Sequence, residues 1–203
     1  MKLVKDENKV KTKENEISDE QAEESIKQII QWIGENPNRE GLSSTPQRVI
    51  KAFKEYFQGY KQDPDKYLAK TFTEVDNYDD MVIEKNISLH SHCEHHMAPI
   101  IGVAHVAYIP SKKVVGLSKL ARVVEVYSKR LQTQERLTMQ IANTIMDVLQ
   151  PRGVAVTIDA AHHCMTNRGI KKENATTITN SFLGVLKDDL SFQNRYLRYI
   201  NKD

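Results

Sequence analysis

At 203 residues, with 39% hydrophobic and 28% charged side chains, the chain has the length and apolar content for one domain with a modest core. Its net charge of +2 lacks the basic excess that marks nucleic-acid binders, so no nucleic-acid partner is expected. It has no apolar run near the roughly 18–20 residues of a membrane span. The opening MKLVKDENKVKTKENE has no apolar centre of a secretory signal, so a cytoplasmic protein without membrane contact is expected.

Residues 1–17 are mostly Lys, Glu, Asp and Asn. Such a segment cannot bury enough apolar surface to offset ordering, and it reads as a flexible charged tail. Residues 18–203 read as one domain, helical over about 18–65 and α+β over about 80–203. The first helix begins at Ser18, which has capping-box spacing to Gln21. Ile26, Ile29, Ile30 and Ile33 share one face, and Gly34 with Asn36-Pro37 stops the helix. Thr45-Pro46 starts a second helix with Thr45 as N-cap. Val49, Ile50, Phe53 and Phe57 form its buried stripe and Gly59 its stop. A loop rich in Asp, Pro and Lys runs from Gln62 to about Asp80.

Met81–Leu89 reads as a strand, Cys93–Pro99 as a turn and Ile101–Ile109 as a second strand. Leu117–Leu131, capped by Ser118, and Glu135–Leu149 read as amphipathic helices. Val154, Val156 and Ile158 alternate with Ala155 and Thr157 in a third strand running toward Cys164, and Thr176–Leu186 gives a fourth. The order β-β-α-α-β-β predicts an α+β fold: N-terminal helices, then a four-stranded mostly antiparallel sheet with two helices on one face.

The two cysteines carry the chemistry. Cys93 sits among His90, His92, His95 and His96, and Cys164 follows His162 and His163. In a reducing compartment this pattern reads as metal ligation before disulfide formation. Cys93 and His96 have a zinc-ligand spacing, and Cys164 supplies a third donor from another strand. If that strand continues to Cys164, His162 points the same way and His163 the opposite way. Three protein ligands leave a coordination position for water, and zinc lowers the pKa of such water to about 7. His95 and His162 then stand as proton carriers. Two other readings of the same residues stay open. His90 or His92 would close a structural four-ligand site, or both cysteines would be small buried hydrophobes. The zinc deaminases pair H-x-E with P-C-x-x-C; here Glu94 precedes histidines and no C-x-x-C exists.

The stretches SHCEHHMAPIIG at 91–102, VAYIP at 106–110, GLSKLARVVEVYSKRLQTQERLTMQIA at 116–142 and DAAHHCMTNRG at 159–169 closely resemble GTP cyclohydrolase I. The resemblance spans roughly residues 20–203. It implies a tunnelling-type fold and hydrolysis of GTP to 7,8-dihydroneopterin triphosphate and formate, the entry to folate or tetrahydrobiopterin synthesis. It implies Zn2+ on Cys93, His96 and Cys164, with His95, His162 and Ser118 as catalytic residues. It implies substrate contacts from Gln134 and Glu135 to guanine, and from Lys119, Arg122 and Arg168 to the triphosphate. A carboxylate at Glu135 accepts both the N1–H and the N2 amino hydrogens of guanine, a donor pair that adenine lacks. Cationic side chains on a helix start suit a triphosphate. The family is a homodecamer with active sites at subunit contacts, so a homo-oligomer is expected. His163 and His92 depart from the family pattern and are candidate competitors for metal. The competing functions are a related enzyme acting on another purine or a pterin, and a non-catalytic sensor with a structural zinc.

Overall fold

The computed structural model describes residues 17–73 and 78–201, which leaves residues 1–16 of the expected tail outside them. Two compact units divide after Lys54, inside the second helix.

In the first unit, α1 spans Asp19–Trp32 and its capping box is formed: the Ser18 N–H donates to Gln21 Oε1 (2.9 Å) and the Gln21 N–H to Ser18 Oγ (3.3 Å). The shared isoleucine face of α1 is only partly covered. Ile30 is buried, whereas Ile29, Trp32 and Ile33 are exposed. The helix carries apolar residues on more than one side, and a short helical unit covers only one of them. The second helix, α2, spans Thr45–Tyr56; Thr45 is already helical rather than the cap, and Pro46 is buried in the first turn.

The second unit opens with a 3-10 turn at Gln58–Lys61 and α3 at Pro64–Leu68, capped by Asp63. Then come β1 (Thr71–Phe72), β2 (Val82–Cys93), β3 (Pro99–Ile109), β4 (Val114–Val115), α4 (Leu117–Ser128), β5 (Leu131–Gln132) and α5 (Gln134–Leu149). The chain ends with β6 (Gly153–His162), α6 (His163–Thr166), β7 (Thr177–Gly184), α7 (Val185–Asp188) and α8 (Leu190–Ile200). The expected 62–80 loop therefore contains α3 and β1.

The four expected strands pair antiparallel in the order β2-β3-β6-β7, with Ala104 opposite Ile158 and Val156 opposite Ser181 as examples of the register. The count of four is corrected to five, because β5 adds two residues parallel to β2, pairing His92 with Leu131 and Cys93 with Gln132. A separate ribbon pairs β1 with β4. Pleat alternation sorts the sheet's faces. Leu89, Ile100, Val106, Val156 and Ile158 pack with Leu120, Val123, Leu137, Ile141 and Ile145 of α4 and α5. Ala107, Ile109 and Ala155 lie on the other face, under Leu186 and Tyr196. Tyr196 fastens α8 there, the single hydrogen of its OH shared between His105 O (3.0 Å) and Thr157 Oγ1 (2.9 Å).

Candidate metal centre and active site

One end of the sheet gathers the chemistry. The end of β2, the start of β3 and the end of β6 meet there, since Ile100 pairs with both Ser91 and His162. A turn follows β2, closed by Cys93 N–H to Ala98 O (2.8 Å) and Met97 N–H to Cys93 O (2.8 Å). Met97 takes a left-handed φ of 52°, which wraps the turn back into β3. The strand ending in His162 gives way at once to α6, so Cys164 sits in a helical turn. The expectation that His162 and Cys164 share a strand face is thereby corrected: the pleat ends at His162, two residues before Cys164.

The turn and α6 nevertheless bring one donor atom each from Cys93, His96 and Cys164 to within 4.8 Å of one another. Cys93 Sγ lies 3.9 Å from His96 Nδ1. An ion about 2.0–2.3 Å from each donor bridges separations of this order, and a thiolate pair with one imidazole is a borderline-soft donor set. Cys93 is buried, Cys164 half-buried and His96 exposed, so the group opens outward through His96. Burial, followed by the neighbouring Cys93 thiol, pushes the Cys164 thiol above its ordinary value. A bound cation acts in the opposite sense and deprotonates such a thiol.

His90, His92 and His163 stand outside this donor group among the described residues. His92 is held between rings instead, with centroid distances of 4.7 Å to Tyr56 and 5.3 Å to Phe57. The Nδ1 of His163 faces the Asn167 amide at 3.2 Å. His90 lines a different cavity.

The N-terminus of α5 packs beside the donor group. Thr133 caps it, accepting from the Arg136 N–H. Gln134 is 1% exposed, and its side-chain amide donates to Thr177 O (2.8 Å) and Ile158 O (3.1 Å), beside Thr179 Oγ1. Carbonyl oxygens only accept, so those contacts fix the amide's orientation and leave its Oε1 facing His162 Nε2 at 2.7 Å. The Nε2 therefore carries a hydrogen and Nδ1 holds the lone pair of the neutral ring. Burial pushes His162 below its ordinary value, and the Glu135 carboxylate pulls it back up. Glu135 itself is exposed. His95 is exposed, with Nε2 3.9 Å from Glu94 Oε1.

The phosphate-side candidates divide. Arg168 follows α6 and is exposed, and its charge acts on Cys164. Ser118 and Arg122 lie in α4, which is capped at Gly116 without a side-chain bond, so Ser118 is not the expected cap. They line a cavity of about 480 Å³ with Ile87, His90, Glu125 and Lys129, apart from the metal-site residues. Arg122 is paired there with Glu125 at 3.0 Å. Lys119 is half-buried in the same helix.

Sequence reasoning passed over Glu94, Gln132 and Arg136, which connect the turn to α5.

A Cys-His-Cys donor group beside an amide-paired histidine, at the strand ends of an α+β sheet, defines a candidate metal-dependent enzyme. The family model described as GTP cyclohydrolase I matches residues 22–201. GTP cyclohydrolase 1 of Pelagibacter ubique (strain HTCC1062) is 68% identical over 202 residues, covering 100% of both chains. GTP cyclohydrolase 1 of Maricaulis maris (strain MCS10) is 54% identical over 185 residues, 91% of this chain and 90% of its own. A crystal structure of the archaeosine synthase QueF-Like in the apo form aligns with 51% of this chain and 93% of its own, at a TM-score of 0.42 and 19% identity. The chain belongs to the GTP cyclohydrolase I family and is an enzyme with the activity for which that family is named.

Proposed function

We propose that the chain hydrolyses GTP to 7,8-dihydroneopterin triphosphate and formate with zinc held by Cys93, His96 and Cys164. The observation that carries this reading is the convergence of those three donors beside His162, whose ring also feels the Glu135 charge. The metal, when bound, supplies Lewis acidity toward water and the purine.

The chain's own residues do the rest. Glu135 accepts from N1–H and the N2 amino group and so holds the guanine edge. Gln134 holds the His162 ring by its Nε2–H and so aims it. This makes Gln134 a partner of His162 rather than a direct guanine contact. Water adds at C8, and His162 takes the water's proton on its free Nδ1 and hands it to N7. The C8–N9 bond opens to a formamide, and a second hydrolysis releases C8 as formate. The ribose carbons then rearrange and reclose on the freed nitrogen as the dihydropterin ring, with Ser118 assigned to that sugar chemistry. His95 moves protons at the exposed side of the turn. Lys119, Arg122 and Arg168 bind the triphosphate, with Arg suited to bidentate contacts.

Residues 18–203 act as one domain of tunnelling type in a cytoplasmic homodecamer. An antiparallel ladder with two helices on one face supports that fold, and the exposed Ile29, Trp32 and Ile33 of α1 support association. No helix among the described residues is long and apolar enough to cross a membrane.

The test is to incubate the purified chain with GTP or ATP, with and without a zinc chelator, and measure formate and oxidised neopterin fluorescence. Product from GTP alone, abolished by the chelator and restored by zinc, is expected. Turnover that survives complete metal removal would sink the zinc assignment.

A further inference from the structure

Arg136 takes no part in the chemistry above, yet its guanidinium gathers acceptors from separate pieces of chain. It donates to the Glu94 carboxylate, to Leu131 O at 3.0 Å and to Gln132 Oε1 at 3.2 Å. Gln132 is 1% exposed, and its amide donates to Tyr127 O (2.8 Å) and Gln140 Oε1 (2.9 Å), which turns its oxygen toward Arg136. The fork of Arg136 therefore meets a pre-set acceptor on α4–α5 scaffolding and a carboxylate on the metal-binding turn.

Glu94 stands between two donors, Cys93 and His96. Its N–H donates to Gln132 O at 3.0 Å, so backbone and side chain of this one residue tie the turn to β5 and α5. The next three residues, His95, His96 and Met97, are exposed. Cys93 is fixed by strand pairing, but His96 lies beyond the last β2 residue. Its position is set by how the turn is held.

We propose that Arg136 is a positioning residue for the metal site: by holding Glu94 it fixes the turn that places His96, and with it His95, against Cys164. The inference rests on the zinc reading above. An isolated exposed ion pair contributes little, but a planar fork spread over three acceptors is a network that orients what it binds. Three consecutive residues then divide the labour on one helical turn. Gln134 holds the β6 side through His162, Arg136 holds the β2 side through Glu94, and Glu135 is left exposed between them.

The experiment measures zinc affinity of the full chain by competition with a chromophoric chelator. Arg136→Gln and Glu94→Gln should each weaken zinc by about 10–100-fold, the usual effect of losing a partner behind a ligand. The double variant should be no weaker than the weaker single one, because both break the same link. Arg136→Lys, whose ammonium cannot span three acceptors, should fall between the wild type and Arg136→Gln. It also carries the test if Arg136→Gln fails to fold by circular dichroism. Unchanged zinc affinity in the folded arginine variants, or losses that multiply in the double variant, would overturn the role of Arg136. Wild-type affinity is read first: absence of zinc binding there sinks the metal assignment itself, a different failure from a silent Arg136.

Discussion

Burial disfavours the charged form of three histidines. Desolvation pushes His92, His105 and His162 below the ordinary histidine value, and only His105 lies far from the metal site. Its Nδ1 accepts from the Asn86 N–H at 3.2 Å, an acceptor role that protonation destroys. The Lys85 charge pushes it further down and Asp159 pulls it up. Between the lowered folded value and about 6.5, the unfolded chain binds a proton that the folded chain does not. Stability from His105 is therefore fully present above the unfolded value and is lost as pH falls through this window. His105→Gln keeps an acceptor for Asn86 and removes the titration, so its urea midpoint should fall less steeply than the wild type's from about pH 7 to 5. Equal slopes would assign the acid sensitivity elsewhere. His162 offers a second test at this scale. His162→Ala should keep zinc, because the proposed donors are Cys93, His96 and Cys164, and lose turnover by about 10²–10⁴-fold. Full activity in a zinc-loaded variant would remove His162 from proton transfer.

Single elements show which parts of the fold could be read ahead. The long strands β2, β3, β6 and β7 and helices α4 and α5 were legible, since each repeats its pattern over eight or more residues. Two-residue strands such as β5 have no alternation to read, and β5 exists because Gln132 and Leu131 pair with Cys93 and His92. The break at His163 was hidden for another reason: β6 ends in a run of apolar and histidine residues that would suit continued strand equally well. The C-terminal helix α8 did carry signals, an Asp189 cap and the spacing of Phe192, Tyr196 and Ile200, that were passed over. The grouping of Cys93, His96 and Cys164 was legible because their histidine and cysteine pattern is local, whereas the Arg136 link depends on tertiary placement. One glycine tests how tightly the central strands are drawn together. A Cβ at Gly102 would lie 2.1 Å from Asp159 O and 2.5 Å from Ala160 Cα, both backbone atoms that cannot step aside without moving β6 from β3. Gly102→Ala should lower unfolding free energy by about 1–3 kcal/mol or more. Because β3 and β6 lead to the turn and to Cys164, zinc affinity should fall with it. A variant with wild-type urea midpoint and zinc affinity would show that the strands part easily.

At the scale of the whole molecule, the proposed triphosphate residue Arg122 and the proposed metal donors occupy different places on one chain. Ser118 and Arg122 line a cavity along β2 and α4 that includes none of Cys93, His96, Cys164, His162 or Glu135. If one site needs both sets, a second copy of the chain is the economical source of the missing half. Residues at such a contact need not lie together in the monomer. Complementation decides this. Arg122→Ala and His162→Ala are each expected to be inactive alone. Co-expressed, they should regain activity in mixed oligomers, up to about a quarter of the wild-type sites by random draw of two intact halves. The regained activity should elute with a particle many times the 23.3 kDa chain and be absent from the separately purified variants mixed without subunit exchange. No recovery in mixed oligomers proven to contain both variants would place Arg122 and His162 in the same subunit's site. Arg122 would then have to leave Glu125 and reach the metal end of its own chain when GTP binds.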